Sequence, residues 1–223
     1  MTATSPRLLR VPPFERGITL GDFLVPIRID DRVSSRVHNA TLVLMGVLLI
    51  SASAHVAFRI PGTEVPFTGQ TFGVLVTATA LGFRRGAAAI GLYLVLGFAL
   101  PIYAGGASGI ERLASLQEGR LVFGATGGYL LGFLVAGAIV GGLAELGWDR
   151  RFAGALAAML VGSLAIYVLG VSWLAVALSL PPIEAIARGA VPFLLGDALK
   201  FALAAAVFPL GWWVVGRRPS DHR

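Results

Sequence analysis

The chain has 223 residues, of which 56% are hydrophobic and 13% are charged, and its net charge at pH 7 is +6. Soluble domains average about 25% charged residues, so this composition predicts an integral membrane protein of one domain. The lack of cysteine excludes disulfides, thiol catalysis and cysteine-ligated metal sites. The arginines form no run interleaved with aromatic residues, so we expect no nucleic-acid partner.

The first 38 residues have mixed polarity and precede the first apolar run of membrane length. Asp22, Pro26 and Arg28 interrupt the apolar stretch at 18–29, which is too short to cross a bilayer. The basic, apolar and small-residue order of a cleavable signal is not present. We therefore expect 1–38 to be a cytoplasmic extension, flexible or interfacial, followed by a membrane domain at 39–216 and a cytoplasmic tail at 217–223.

Six apolar runs follow, at 40–58, 67–83, 86–103, 123–146, 152–180 and 190–216. Each is close to or above the ~20 residues that a helix needs to cross the hydrocarbon core. The pattern predicts an all-α integral membrane protein, a bundle of six transmembrane helices. Within the runs, the spacing of Gly124, Gly128 and Gly132 is typical of closely approaching helices and predicts packing rather than chemistry.

The arginines are divided unequally between the two sets of helix ends. Ten lie on one side, at Arg28, Arg32, Arg36, Arg84, Arg85, Arg150, Arg151, Arg217, Arg218 and Arg223. Four lie on the other, at Arg59, Arg112, Arg120 and Arg188. Because arginine is enriched on the cytoplasmic side, we expect both termini to be cytoplasmic and the longer loops to face outward.

Asp197 and Lys200 are the only charged residues deep inside a predicted span, and Lys200 is the only lysine. A charge at mid-bilayer costs about 2.5–3.5 kcal/mol on insertion scales, and such residues usually line a site or pathway. Their spacing of three places both on one helix face. One interpretation is a pair that neutralises itself while packing helices. The interpretation that we favour is a binding site for a small polar ligand.

Other polar, aromatic and glycine residues fall in the outer half of the predicted bundle, at the same depth as this pair. They are Thr68, Gln70, Gly105, Gly106, Tyr129, Tyr167 and Trp173. Each has a simpler explanation by itself, since Thr68 and Gln70 suit a helix start and aromatic residues anchor helices at the interface. Together with Asp197 and Lys200 they describe an outward-facing aromatic pocket with a few polar anchors, the usual form of a small-molecule site.

Enzyme functions have little support in the sequence. No P-loop is present, so the chain lacks that route to ATP hydrolysis. The sequence Gly106-Ala107-Ser108-Gly109 is similar to the serine motif of rhomboid proteases, but no later span contains the histidine that would act as base. An intramembrane enzyme is therefore the weaker alternative, and no metal or cofactor site is expected.

Six segments resemble the BioY family, the biotin-binding S components of energy-coupling factor (ECF) transporters. They are VPFTGQT at 65–71, GFRRGA at 82–87, LPIYAGG at 100–106, TGGYLLGF at 126–133, IYVLGVSWL at 166–174 and PFLLGDALK at 192–200. These segments occur in order through the predicted spans and leave 1–38 unexplained.

The resemblance implies a multi-pass protein of the bacterial inner membrane that captures biotin from outside, with no cofactor besides this ligand. A separate transmembrane coupling protein and two ATP-binding-cassette ATPases would supply the energy. A dedicated module, a shared module and action alone as a homo-oligomer all remain open. A different vitamin on the same scaffold is the alternative ligand, because a fold does not fix its ligand.

Two arrangements of biotin are compatible with the charged pair. In the preferred one, Asp197 accepts a ureido N–H and Lys200 donates to the ureido carbonyl. The tail carboxylate then meets loop N–H groups near Gly105 and Gly106, or Arg112 or Arg120. In the alternative, Lys200 pairs with the carboxylate. Tyr129, Tyr167 and Trp173 would wall the apolar part of the ligand.

The sequence departs from the family pattern in three places, one of which is Ala125, where the family often has proline. S components dock on the coupling protein through an Ala-x-x-x-Ala face of the first helix, and the nearest matches here are Gly46 with Ile50 and, displaced, Ser53 with Ala57. We take these four as the candidate coupling residues. The loop between Gly106 and Thr126 is also longer than is usual in the family.

Overall fold

The structure is a computed structural model in which residues 17–24 and 32–217 are described. The helices are α1 (Gly21–Leu24), α2 (Arg32–His55), α3 (Gln70–Gly97), α4 (Gly127–Glu145), α5 (Phe152–Ala177), α6 (Pro182–Gly189) and α7 (Leu194–Arg217). Two short hairpins pair β1 (Ala57–Phe58) with β2 (Phe67–Thr68), and β3 (Ala114–Gln117) with β4 (Arg120–Phe123).

Five helical segments of the described chain are long and apolar enough to cross a membrane. They are Ser35–His55, Gln70–Gly97, Gly127–Glu145, Phe152–Ala177 and Pro182–Gly216. The mostly helical membrane architecture predicted from the sequence is therefore confirmed. The predicted count of six differs because most of the second and of the third apolar run belongs to the single helix α3.

Helix α3 is interrupted at Gly82, whose φ of 78° and ψ of −174° are not helical. The Gln70 side-chain nitrogen lies 2.5 Å from the Tyr93 hydroxyl, 23 residues later in the sequence. A continuous helix would separate these residues by about 35 Å. The two halves of α3 therefore lie side by side, and the left-handed φ at the reversal is one that glycine adopts without strain.

Glycines allow the helices of the core to approach closely, as their spacing predicted. A Cβ at Gly132 would lie 3.0 Å from the Ile166 Cα on α5, and one at Gly141 would lie 2.7 Å from the Gly82 backbone. Helix α4 is thus packed between α3 and α5. Large apolar side chains such as Leu48, Val176 and Leu199 point outward and stay exposed, as expected for a surface that faces lipid.

Part of the predicted N-terminal extension packs against the bundle. Thr19 and Leu20 are buried, and the Arg85 guanidinium donates to the Asp22 carboxylate at 2.7 Å. Burial raises the pKa of Asp22. The hydrogen bonds from Arg85 and Thr19, together with the positive charge of Arg85, outweigh this effect and hold the pKa below its usual value. Helix α2 begins at Arg32, before the expected boundary at 38. The rest of the extension and of the tail, 1–16, 25–31 and 218–223, lies outside the described residues.

A buried carboxylate joins the turn between α4 and α5 to the end of α7. Asp149 is 1% exposed, and its Oδ2 accepts a hydrogen bond from the Trp212 indole N–H at 2.7 Å. The Arg150 guanidinium lies 4.2 Å from the centre of the Trp212 ring. Burial raises the pKa of Asp149 to about 6, and the Trp212 hydrogen bond and Arg150 charge offset only part of this effect.

The raised pKa of Asp149 predicts a stability that falls with pH. The folded protein holds the Asp149 proton more tightly than the unfolded chain does, so stability declines between the unfolded pKa near 3.8 and the folded pKa of about 6. Asp149→Asn keeps an acceptor for Trp212 and removes the ionisation. We expect the variant to be more stable than the wild type above pH 6, by at most about 3 kcal/mol, and to lose the advantage near pH 4.

The measurement is the melting temperature of the detergent-purified protein from pH 4 to 8. Glu118→Gln, at an exposed hairpin turn, is the matched control and should follow the wild-type pH profile. Parallel profiles for Asp149→Asn and the wild type would contradict the assignment.

Candidate functional site

A cavity of about 960 Å³ opens at the end of the bundle where α3 begins. It lies among α3, α4, α5 and α7 and is bordered by the loops that follow α2 and α3. Its wall includes eight of the nine residues predicted from the sequence to bind the ligand: Thr68, Gln70, Gly105, Gly106, Tyr129, Tyr167, Asp197 and Lys200. This volume is within the range of small-molecule sites.

The Asp197–Lys200 pair is the polar centre of the cavity wall. The Lys200 ammonium donates to Asp197 Oδ1 at 2.8 Å and to the Thr68 carbonyl at 2.7 Å. The Tyr167 hydroxyl donates to Asp197 Oδ2 at 2.6 Å. The pair therefore neutralises itself and joins α7 to α5 and to β2. It also keeps capacity for a ligand, because an ammonium has three donors and a carboxylate about four acceptor positions.

Aromatic rings cover the charged pair. The Lys200 ammonium lies 3.9 Å from the centre of the Phe67 ring, close enough for a cation–π interaction. Phe67 stacks on Phe193 with ring centres 6.2 Å apart. Gly196 makes this approach possible, since a Cβ there would lie 2.4 Å from the Phe67 ring. The absence of a side chain at Gly196 and the stacking of Phe67 on Phe193 together hold the Phe67 ring against the ammonium at the cavity wall.

Thr68 and Gln70 have a structural role in addition to their place in the wall. The Thr68 hydroxyl accepts a hydrogen bond from the Gln70 backbone N–H at 3.1 Å. The Gln70 side chain donates to the Tyr93 hydroxyl at 2.5 Å, which in turn donates to the Ile102 carbonyl at 3.2 Å. The bonds of the Gln70 side chain join the two halves of α3. The bond between Thr68 and the Gln70 backbone lies at the start of α3, so these two residues also begin a helix, as the simpler explanation has it.

The predicted aromatic residues do not all face the cavity. Tyr129 lines it and donates to the Gly189 carbonyl at 2.7 Å. Trp173 does not line it; its indole N–H donates to the Gly124 carbonyl at 2.8 Å and its ring packs edge-on against Phe123. Trp173 follows Tyr167 by six positions, which places the two side chains about 120° apart around the helix axis. The spacing alone therefore indicates that both cannot face the same cavity.

The mouth of the cavity contains both signs of charge. Arg59, Glu64, Glu111 and Arg112 line it, whereas Arg120 on β4 does not. Glu64 is paired with Arg188 at 2.9 Å. Of the glycines in the predicted loop, Gly106 already donates its N–H to the Tyr103 carbonyl at 2.9 Å, so this N–H is occupied.

Several lining residues were not predicted from the sequence. They include Arg59, Glu64, Phe67, Tyr103, Phe133, Ile166 and Phe193. Phe193 precedes Asp197 by four residues, a helical spacing that places both on one face. Arg59 carries no such signal, because an arginine beside a predicted span is ordinary.

The residues predicted to couple to a partner do not form an exposed face. A Cβ at Gly46 would lie 2.7 Å from the Thr77 side chain, and Ile50 is fully buried. Ser53 lies against the Gly73 backbone, and Ala57 lines the cavity. The face of α2 that carries Gly46, Ile50 and Ser53 packs inside the chain, because its small residues admit α3, and Ala57 lies beyond α2 on β1. The outward face of α2 carries Leu44, Met45, Leu48, Leu49 and Ala52.

Within 17–24 and 32–217, no group of three or more histidine, cysteine, aspartate or glutamate side chains is arranged to hold a metal ion.

Comparison with known proteins gives a consistent result. The sequence profile of the BioY family matches residues 28–217. The chain is 34% identical to the Biotin transporter BioY2 of Lactococcus lactis over 179 residues, which cover 79% of this chain and 91% of that protein. It is 37% identical to the Biotin transporter BioY of Thermotoga maritima over 149 residues, covering 66% of this chain and 81% of that protein.

The fold is also similar to that of a solved structure, the S-component for biotin from an ECF-type ABC transporter. The TM-score is 0.70 at 22% sequence identity, and the match covers 81% of this chain and 94% of the other. The profile match over most of the chain and the two curated relatives establish the relationship: the protein belongs to the BioY family.

Proposed function

We propose that this chain captures biotin in the cavity and mediates its uptake as the S component of an ECF transporter. The observation that carries the proposal is the Asp197–Lys200–Tyr167 cluster, a neutral polar group with unused donors and acceptors in the wall of an otherwise aromatic cavity. The curated relatives are named biotin transporters. No catalytic role is assigned to the site.

The ureido ring of biotin suits this cluster. The ring offers two N–H donors and one carbonyl acceptor and is uncharged. Asp197 has acceptor positions beyond those used by Lys200 and Tyr167, and Lys200 has one donor beyond those directed to Asp197 and Thr68. Asp197 accepts a ureido N–H, and Lys200 donates to the ureido carbonyl. The apolar rings of Phe67, Tyr129 and Phe133 enclose the sulfur-containing ring and chain.

Charge balance favours placing the carboxylate of biotin at the mouth. Lys200 is already neutralised by Asp197 at 2.8 Å, so a carboxylate beside Lys200 would leave the buried cluster with a net negative charge. Uncompensated burial of a charge is costly. Arg59 and Arg112 at the mouth supply positive charge in a more solvated place. The competing arrangement pairs the carboxylate with Lys200.

We infer six membrane crossings with both termini in the cytoplasm, in a bacterial inner membrane. The side-by-side halves of α3 support two crossings in place of one, since Gln70 meets Tyr93 at the cavity end and Phe83 meets Glu145 beside the reversal. The ten arginines on the Arg85 side support its cytoplasmic location. The cavity then opens outward.

The energy for uptake would come from a separate coupling protein and two ATPases, as the family implies. The chain has no P-loop of its own. We propose the outward face of α2, with Leu48 and Ala52 at its centre, as the docking surface, in place of the buried Gly46 and Ile50. Leu48 is 68% exposed. Function as a homo-oligomer without these partners is the alternative.

Removing either charge of the pair should weaken biotin binding. Asp197→Asn replaces a charged acceptor, and Lys200→Met removes the donor while keeping the length of the side chain. Hydrogen bonds to charged groups contribute about 1.5–3 kcal/mol, so we expect the Kd to rise roughly 10- to 150-fold. Calorimetry of the detergent-purified protein measures this change.

Arg120→Gln is the matched control, since Arg120 lies outside the cavity, and its affinity should equal that of the wild type. Unchanged affinity in both site variants would refute the assignment. Thermal-shift measurements with biotin, thiamin, riboflavin and folate test the alternative of another vitamin; stabilisation by one of the others but not by biotin would support that alternative.

The two arrangements of biotin make opposite predictions for biotin amide, which lacks the charge. With the carboxylate at the mouth, Arg59→Gln with Arg112→Gln should weaken biotin roughly 10-fold and leave the amide almost unaffected. Lys200→Met should then weaken both ligands equally. If Lys200→Met weakens biotin alone, the carboxylate lies at Lys200 and the competing arrangement is correct.

Gly196→Ala should disturb the site without changing its charges. The new Cβ would overlap the Phe67 ring that covers Lys200, and overpacking typically costs about 1–3 kcal/mol. We expect a lower biotin affinity. Gly91→Ala is the control, because its Cβ would meet only Leu134 at an ordinary 3.8 Å. Equal affinities for the two alanine variants would show that the Phe67 position does not matter for binding.

A further inference from the structure

The hairpin of β3 and β4 separates apolar from polar side chains. Its register pairs Ala114 with Phe123, Ser115 with Val122, Leu116 with Leu121, and Gln117 with Arg120. Directly paired residues point to the same side of a hairpin, and successive pairs alternate. One face therefore carries Ala114, Leu116, Leu121 and Phe123, and the other is polar except for Val122.

The apolar face is open to the surroundings. Leu116 is 77% exposed and Leu121 is 59% exposed, so the part of the chain in 17–24 and 32–217 leaves most of both side chains uncovered. Burying a leucine side chain is worth about 1.5–3 kcal/mol. The hairpin also does not line the cavity, so a ligand in the cavity does not cover this face.

The attachment of the hairpin continues the lipid-facing surface of the bundle. Phe123, at its base, packs edge-on against Trp173 of α5 with ring centres 5.0 Å apart. The Gly124 carbonyl accepts the Trp173 indole N–H at 2.8 Å. Three residues later α4 begins, and on α5 Val176 is 68% exposed. The apolar face thus begins at the ends of two membrane helices, where tryptophan is typical of the interface.

We propose that the β3–β4 hairpin rests on the lipid bilayer, with Leu116 and Leu121 inserted among the acyl chains at the interface and the polar face directed to water. The exposed tip, Glu118 and Gly119, is directed to water. This arrangement depends on the chain being a membrane protein and not on the identity of its ligand.

The position of the hairpin connects the bilayer to the rim of the cavity. Glu111 and Arg112 line the cavity just before β3, and Gly124 to Thr126 line it just after β4. The backbone N–H of Gly124 donates to the Leu113 carbonyl at 2.9 Å and closes the base of the hairpin. Contact of Leu116 and Leu121 with lipid therefore holds β3 and β4 in place, and with them the rim residues that flank these two strands.

The chain has no cysteine, so a single introduced cysteine carries a spin label without background. Labels at Leu116→Cys and Ser115→Cys, adjacent in sequence but on opposite faces, are compared in the full-length protein reconstituted in phospholipid vesicles. Accessibility is measured to oxygen, which concentrates in lipid, and to a water-soluble nickel chelate. Leu164→Cys on the exposed side of α5 and Glu118→Cys at the tip give the lipid and water references.

We expect the Leu116 label to match the lipid reference, with greater accessibility to oxygen than to nickel, and the Ser115 label to show the reverse. Equal accessibility to nickel at the two positions would overturn the proposal. Protection of the Leu116 label from both reagents would also overturn it, since a protein surface such as a second copy would then cover the face. Leu116 is exposed and Ser115 is partly buried beside Gln117, so size-exclusion profiles are used to check that both labelled proteins fold.

Discussion

The architecture depends on one buried carboxylate, that of Asp197. Both of its oxygens are engaged, one by Lys200 on the same helix and one by Tyr167 on α5. In a medium of low dielectric an unpaired carboxylate would be costly, and a paired one is stable only when its hydrogen bonds are made. The requirement to satisfy Asp197 therefore sets the separation of α5 and α7, and it holds Lys200 against the β1–β2 hairpin.

The same requirement explains why the site is neutral and aromatic. Since Asp197 and Lys200 cancel each other, the cavity can take an uncharged polar group without a further ion. The ring of Phe67 shields the ammonium from above, and Gly196 leaves space for that ring. The candidate binding residues are thus also residues that hold the structure together. Thr68 and Gln70, which hold the two halves of α3 together, also form part of the wall.

Much of this organisation was predicted from the sequence, because charges are rare in membrane spans and the pair at Asp197 and Lys200 stands out. The lengths of the apolar runs likewise indicated the helices, and the glycine spacing indicated close packing. Three features were not predicted, for physical reasons. Hydropathy divided the apolar runs at 67–83 and 86–103, but it did not show that the reversal between them takes place at Gly82 inside one helix. Small residues on α2 indicate close packing but not whether the neighbour is α3 or another protein. Trp173 was assigned to the site by residue type, without regard to its angle on α5.

The bond between Lys200 and the Thr68 carbonyl has a consequence for biosynthesis. Its partners are 132 residues apart in the sequence, and Lys200 lies in the last helix of the described chain. During synthesis, the earlier helices enter the membrane before Lys200 has been made, so the Thr68 carbonyl on β2 does not yet have this donor. The candidate site is therefore completed only when α7 has been inserted, and a nascent chain that stops after α5 contains most of the cavity wall without its charged centre.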